Sequence, residues 1–569
     1  MIGRRRAATW ALYGLTLAAV FSLALTTLTR YDFWWSLKSG ELILETRAVP
    51  RTDPFSYTAE GRPWVNHMWA TQVLLVLGWR HGGRVAVLLA KAVLVSATFA
   101  VVLLTMRARS VPPLLAAGVC LVGAWAGLGF WEVRPQLVTY LFAAVCLWVL
   151  REGWTRRFTP WWAMPLLMIP WANLHAGFVT GFGLIGIVGL GTALPSLVVP
   201  ERRGEGWRTL GRALGLEGLA ALGSLVNPFG VRAMLFTLEV VRTKAFVSST
   251  LEWLSPNFHN PVYHGFEGML LLVLPAVAWG RAGLSLTDLF LLGGLAHLGL
   301  LSLRHVPLFA VAAAPPLAVG LGGFLGRLLE GAWWLPPLAA RLRPALPSLG
   351  RLAALPGFWL ASGAGTIALA LALYWGANLG APGNPLTLDL VEDRYPRAAL
   401  TFIDEQRLPA PLFNVYVWAG YELWRLYPRY RVFIDGRTHV YGPEVLADFL
   451  AVANASPQWA AVLDRWKIQT ILAPRPSVLA EVLTAVGGWR RVFAGGGAIV
   501  FVRDVAENRA LFDRLGERRG PPTSPRPRLS GEDGLGRSGG PAVPGPRSRP
   551  RAWRFGMPGR RLGGIEFGR

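Results

Sequence analysis

The sequence predicts a polytopic α-helical membrane protein of about 11 spans, carrying a small extracytoplasmic α/β domain at its C-terminal end. Three observations predict it. Apolar runs long enough to cross a hydrocarbon core recur from about residue 8 to residue 377, in a 569-residue chain that is 53% hydrophobic. Arginines crowd into alternate connections between these runs, the pattern of an orientation signal. Between about 380 and 503 the long apolar runs give way to alternating short β-type and helical stretches.

Arg4, Arg5 and Arg6 place the N-terminus on the cytoplasmic side, so the first span (about 8–28) exits outward. A long outer loop follows, within 29–80. It is rich in acids and aromatics (Phe33, Trp34, Trp35, Phe55, Tyr57, Trp64, Trp69), which predicts a folded, membrane-hugging segment. Its end, 67–80, is apolar but short and reads as an interfacial helix. Spans are then expected at about 85–105, 111–129, 136–150, 160–173, 177–199, 212–226, 263–279, 284–302, 307–326 and 357–377. This register leaves Arg107 and Arg109, Arg151, Arg202 and Arg203, Arg281, and Arg327 on one side; a single miscounted span would break the alternation.

The chain therefore divides into a transmembrane domain (1–379), an extracytoplasmic α/β domain (380–503) and a Pro-, Gly- and Arg-rich tail (504–569) expected to be disordered. In the α/β domain, Leu412–Trp418 and Arg431–Ile434 read as strands and Pro443–Asn454 and Ser477–Val486 as helices. Val492–Val502 reads as a hairpin closing on glycines. The formal charge of +24 follows the inner connections and the tail, so it is read as topology, not as a nucleic-acid surface. Cys120 and Cys146 lie inside apolar runs and make neither a disulfide framework nor a metal set.

Under this topology Asp32, Lys38, Asp53, His67, Glu132, Arg134, His175, Glu252, Arg304 and His305 all fall at outer span ends or in outer loops, whereas the inner loops hold arginines and few acids. Charge near a bilayer core persists mostly where it faces a cavity or a substrate. A site is therefore expected on the outer side, roofed by the α/β domain. ATP is absent there, so the energy must arrive with the substrate, as a lipid-linked phosphate ester would supply it. A carboxylate would take the proton of an acceptor hydroxyl, and Arg, Lys and His would hold the departing phosphate. Blander readings stand beside these roles. Asp53 precedes Pro54 and opens a turn, Lys38 snorkels, Trp34 and Trp35 join an aromatic belt, and Asp435-Gly436-Arg437 is a turn.

The first outer loop, with its acid just past span 1 and an interfacial helix before span 2, resembles that of the GT-C superfamily of membrane glycosyltransferases. The nearest likeness is to bacterial members related to the dolichyl-phosphate-mannose protein mannosyltransferases. It extends to a poorly characterised group with Asp32-x-Trp34-Trp35, Pro50-x-x-Asp53-x-Phe55-Ser56-Tyr57, Trp64-x-x-His67, Arg134-Pro135, Asn173-x-His175, Asn227-Pro228 and Ile434-Asp435-Gly436-Arg437. The resemblance implies a GT-C-like fold in the bacterial inner membrane and transfer of a sugar from a polyprenyl-phosphate donor to an outer-face acceptor. It implies Asp32 as base, with Asp53 or His67 assisting. Lys38, Arg134, His175, Arg304, His305, Asp435 and Arg437 would bind substrate and phosphate. Many relatives have an acidic pair where this chain has Asp32-Phe33. Asp32, Asp53 and His67 are also candidates for a divalent metal, which some members need. Two non-enzymatic readings compete: a flippase for lipid-linked sugars, which predicts polar residues along the spans (Glu217 and Asp288 are partial examples), and an envelope scaffold.

Overall fold

A computed structural model describes residues 2–26, 31–155, 161–242, 251–280, 283–329 and 395–517, with positions 365 and 368. The expected last span apart from positions 365 and 368, the boundary near 380 and the chain beyond 517 fall outside the described residues. The first ten expected spans each coincide with a helix or helix pair. These helices are α1 (Ile2–Ala24), α3 (Trp69–Ala108), α4 (Pro113–Ala126), α5 (Gln136–Thr155), α6 (Ala163–Leu174), α7 (Val179–Val198), α8 (Arg203–Ser224), α10 (His264–Ala278), α11 (Leu286–Leu301), and α12 with α13 (Val306–Ala312 and Ala314–Leu329); α9 (Val231–Arg242) matches no expected span. Among the described residues, four helical stretches are long and apolar enough to cross a membrane, and a fifth if α12 and α13, bent by 57°, form one span. Helices α4, α5, α6 and α11 are apolar but shorter.

The two ends of the bundle differ. At one end Asp288 sits in the first turn of α11 in a reciprocal cap with Ser285. Arg109 at the end of α3 (2.8 Å) and Arg151 on α5 (2.7 Å) both grip its carboxylate, whose side chain is fully buried. Three helix ends are thereby tied at a single acid.

At the other end the first loop is more ordered than its sequence predicts. Residues Asp32–Thr46 form a helix, α2, with Asp32 in the first turn, where a carboxylate favours the helix dipole. Gly40 lets α2 lie directly on α3, since a Cβ there would stand 2.2 Å from the Gln72 carbonyl oxygen. The stretch expected as an interfacial helix is helical from Trp69, and it continues into the next span across a break at Gly82 and Gly83, the latter at φ 58°.

The C-terminal domain comprises α14 (Arg397–Gln406), β1 (Leu412–Phe413), α15 (Ala419–Leu426), α16 (Thr438–Ala453), α17 (Trp459–Arg465), β2 (Thr470–Pro474), α18 (Val478–Ala485), β3 (Trp489–Gly495), β4 (Ala498–Arg503) and α19 (Arg509–Glu517). The sheet order is β1-β2-β4-β3, with β1 and β2 parallel and the other pairs antiparallel. The hairpin closes on Gly496 and Gly497, both at positive φ, as a tight two-residue turn requires.

Two expectations are corrected here. Of the expected strand Leu412–Trp418 only the first two residues pair, and Arg431–Ile434 forms no named strand. Its backbone groups are met by the first loop and a side chain instead. Val432 N–H donates to the Phe55 carbonyl (3.1 Å), and Tyr57 N–H to that of Val432 (3.3 Å). The Asn414 carboxamide takes Phe433 N–H (2.7 Å) and donates to the Ile434 carbonyl (2.9 Å). Order also continues past 503, because α19 buries Leu511 and Phe512 in the domain.

Apart from Trp69, which bonds to Asn173 of the bundle, the aromatics of the first loop pack into or against the cores of this domain. Trp35, Phe55 and Trp64 pack with Phe413, Ile434 and Tyr441, and Phe33 and Trp34 with Tyr395 and Tyr421.

Candidate functional site

Where the bundle meets the sheet domain, four polar side chains from distant parts of the chain converge. Asp32 comes from the start of α2. Arg134 follows the bend at Trp131, whose indole donates to the Ala124 carbonyl (2.7 Å). Glu252 lies in a short turn, Leu251–Trp253, pinned to the end of α11 by Leu303 N–H to the Leu254 carbonyl (3.0 Å) and by the Ser302 hydroxyl to the Glu252 carbonyl (2.9 Å). Arg304 follows directly and stacks over Trp253 at 4.2 Å.

Arg134 is the hub: one guanidinium nitrogen donates to Glu252 and the other to Asp32 (3.4 Å). Burial opposes its charge, but Glu252, Asp32 and Glu132 outweigh that and hold it protonated above the ordinary arginine range. Asp32 also accepts from the Trp35 indole (3.2 Å). Its side chain is 35% exposed, against 17% for Glu252 and 16% for Arg134, so Asp32 is the accessible acid of the group. Tyr416, from the sheet domain, faces Asp32, Asp435, Arg134 and Glu252. Burial first, and then these carboxylates, push its phenol well up.

Three imidazoles adjoin this group. His67 stacks on Phe236 (5.1 Å), with His175 at 6.3 Å and His439 of the sheet domain at 6.1 Å between ring centres. The His175 Nδ1 accepts Gly177 N–H (3.0 Å) and lies 2.8 Å from the Thr139 hydroxyl, so its ring proton belongs on Nε2. Burial pushes the His67 pKa down from 6.5 to about 4, and the nearby Arg304 adds to the effect. His175 and His439 are lowered as well, by burial and by His67 together with the arginines facing them. All three rings are neutral near pH 7.

Asp53, Asp435 and Arg437 also come together, but with one another. The Arg437 guanidinium reaches Asp53 (2.6 Å) and Asp435 (2.6 Å), and all three side chains are fully buried. Phe55 and Trp64 sandwich it at 4.9 and 4.6 Å. Asp53 also accepts from Phe55 and Ser56 N–H, and Asp435 from Arg437 N–H, so each acid closes its own turn. The expected catalytic residue Asp53 and the expected substrate-binding residues Asp435 and Arg437 are thus buried and bonded to one another, fastening the first loop to the sheet domain. Lys38, also expected to bind substrate, pairs with Glu41 (3.2 Å) and lies over the Tyr427 ring.

The structure thus brings Asp32, Arg134, Arg304, His67 and His175 to one junction, with His305 next to Arg304 and 6.5 Å from Trp253. Glu252, Tyr416, Gly436 and His439 join them. Glu252 is marked in the sequence only as an outer-face charge and Gly436 only as part of the Asp435-Gly436-Arg437 motif; His439 lies two residues past that motif, and Tyr416 carries no local signal. The metal trio Asp32, Asp53 and His67 is not assembled, because Arg437 occupies Asp53. Among the described residues no group of three or more His, Cys, Asp or Glu side chains is arranged to hold a metal ion.

No family model and no curated protein matches the chain. Among solved structures, it is similar to the archaeal oligosaccharyltransferase AglB from Archaeoglobus fulgidus in complex with an inhibitory peptide and a dolichol-phosphate. The TM-score is 0.49 at 12% identity, over 88% of this chain and 75% of that one. It is also similar to the apo oligosaccharyltransferase of Archaeoglobus fulgidus, with a TM-score of 0.48 at 11% identity, over 82% and 69% of the two chains.

Proposed function

We propose that the chain is a membrane glycosyltransferase that moves a sugar from a polyprenyl-phosphate donor to a hydroxyl of an acceptor at the outer membrane face. One observation carries the reading: an accessible carboxylate, Asp32, is paired with the half-buried guanidinium of Arg134, and a second half-buried guanidinium, Arg304, faces Arg134 and Glu252, at one end of an apolar helical bundle. Such a boundary takes a lipid tail along the bundle and its phosphate at the arginines.

In this reading the acceptor oxygen bonds to the anomeric carbon as its proton passes to Asp32. The bond from that carbon to the phosphate oxygen breaks, and the electron pair leaves with polyprenyl phosphate, whose charge Arg134 and Arg304 hold. The neutral imidazoles of His67 and His175 offer hydrogen bonds without adding charge. A flippase would line a route through the bundle with polar groups. Asp288 lines none, because it is consumed at the far end by Arg109 and Arg151.

The test is Asp32→Asn in proteoliposomes supplied with synthetic decaprenyl-phosphate mannose, glucose and arabinose, following release of decaprenyl phosphate. The wild type releases it from at least one donor, and the variant is slower by about 100-fold or more. Near-wild-type release by the variant, or none by the wild type from any donor, overturns the reading.

A further inference from the structure

Gly436 is the point at which the sheet domain touches the acid. A Cβ built there would lie 2.4 Å from Asp32 Oδ1 and 2.8 Å from Trp35 Nε1, the indole nitrogen that donates to the same oxygen. Gly436 sits between Asp435 and Arg437, two fully buried members of the ion triad. The segment is thus fixed from both sides: Arg437 binds Asp53 of the first loop, and Asn414 holds Ile434 just upstream. The phenol of Tyr416 reaches the Gly436 carbonyl at 3.5 Å and faces Asp32 from the same domain.

We propose that Gly436 is a positioning residue: the sheet domain, clamped by Asp53, Arg437 and Asp435, sets the orientation of the Asp32 carboxylate through the bare backbone at 436. The clamp explains why so costly a buried triad stands one residue from a contact with no room for a methyl group. Asp32 is held on three sides, by Trp35, Arg134 and Gly436, which leaves one carboxylate orientation. The proposal rests on Asp32 being the reactive acid for its consequence in catalysis, but the geometry it asserts is measurable without turnover.

Gly436→Ala is the decisive variant. Gly436 is not at positive φ, so alanine is free of backbone strain there; the nearest atom in its way is the end of the short Asp32 side chain, and the next is Nε1 of the buried Trp35 indole. Asp32, the freer of the two side chains, is expected to swing away from the indole. Thr58→Val is the control: it removes the buried Thr58 hydroxyl's bond to the Phe433 carbonyl at the same loop–domain junction, with no contact to Asp32.

Carboxyl labelling with a carbodiimide and glycine ethyl ester, read by mass spectrometry in nanodiscs, reports Asp32 directly. The expected result is several-fold faster labelling of Asp32 in Gly436→Ala and wild-type labelling in Thr58→Val. With the decaprenyl-phosphate donors, Gly436→Ala lowers kcat about 100-fold with the donor KM nearly unchanged, whereas Thr58→Val keeps the wild-type kcat. Equal Asp32 labelling in all three proteins, or an unchanged kcat in Gly436→Ala beside an inactive Asp32→Asn, overturns the positioning role. An active Asp32→Asn with faster labelling in Gly436→Ala keeps the contact and discards only the catalytic reading.

Discussion

At the scale of single residues, charge near the junction follows solvation. The three histidines are neutral because burial and neighbouring arginines oppose their protonation. The unfolded chain takes up those protons near 6.5, whereas folded His67 resists until about 4. Between these values the unfolded state binds more protons, so stability falls as pH drops from 6.5 toward 4 and levels off below. Each such imidazole contributes a slope of up to about 1.4 kcal/mol per pH unit. His67→Gln should flatten the decline in thermal midpoint over this window, and an identical pH dependence in the variant would remove His67 from the account. The same scale separates two kinds of acid. Asp53 and Asp435 announce turns in the sequence and prove to be turns, tied by Arg437. Asp32 shares their chemistry but keeps an accessible edge. Sequence marks all three as acids near aromatics, and only packing tells which is sealed.

At the scale of elements, the readable parts were those with strong local periodicity. Ten expected spans meet helices, helices cover Pro443–Ala453 and Val478–Ala485, and the hairpin closes on its two glycines. The sequence of α2 predicts only a folded loop, since its density of acids and aromatics does not fix a period. It is helical because it lies between two surfaces, the start of α3 and the sheet domain. Arg431–Ile434 failed as a strand for the opposite reason: its β-type composition is real, but its backbone partners come from Phe55, Tyr57 and Asn414. The Asp288 tie belongs to this scale. Asp288→Asn leaves Arg109 and Arg151 together without their acid, and breaking such a buried group costs about 3–5 kcal/mol. The expected outcome is a clearly lower thermal midpoint in detergent with wild-type donor KM. Unchanged stability would show that the helix ends are held by packing alone.

At the scale of the whole molecule, function depends on asymmetry between the two ends of the bundle. One end gathers Asp32, Arg134, Glu252, Arg304 and the imidazoles, drawn from residues 32 to 439, and the other gathers the Asp288 tie. That one-sidedness is what the alternation of arginine-rich connections in the sequence leads one to expect. The partners at the junction were not legible, since Arg134 meets Glu252 across 118 residues and Arg437 meets Asp53 across 384. The central claim is that the gathered end binds the phosphate of a lipid. Arg304 tests it best: it stacks on Trp253 without sharing the Arg134–Asp32 bond, so Arg304→Gln removes a cation and leaves that bond standing. The direct measurement is the affinity of nanodisc-embedded protein for decaprenyl phosphate beside that for neutral decaprenol. The account predicts that the wild type prefers the phosphate and that Arg304→Gln weakens it by about 10- to 100-fold, as loss of a charge-assisted contact does, with decaprenol unaffected. Equal affinities for the two lipids in the wild type, or an unchanged phosphate affinity in Arg304→Gln, would contradict it.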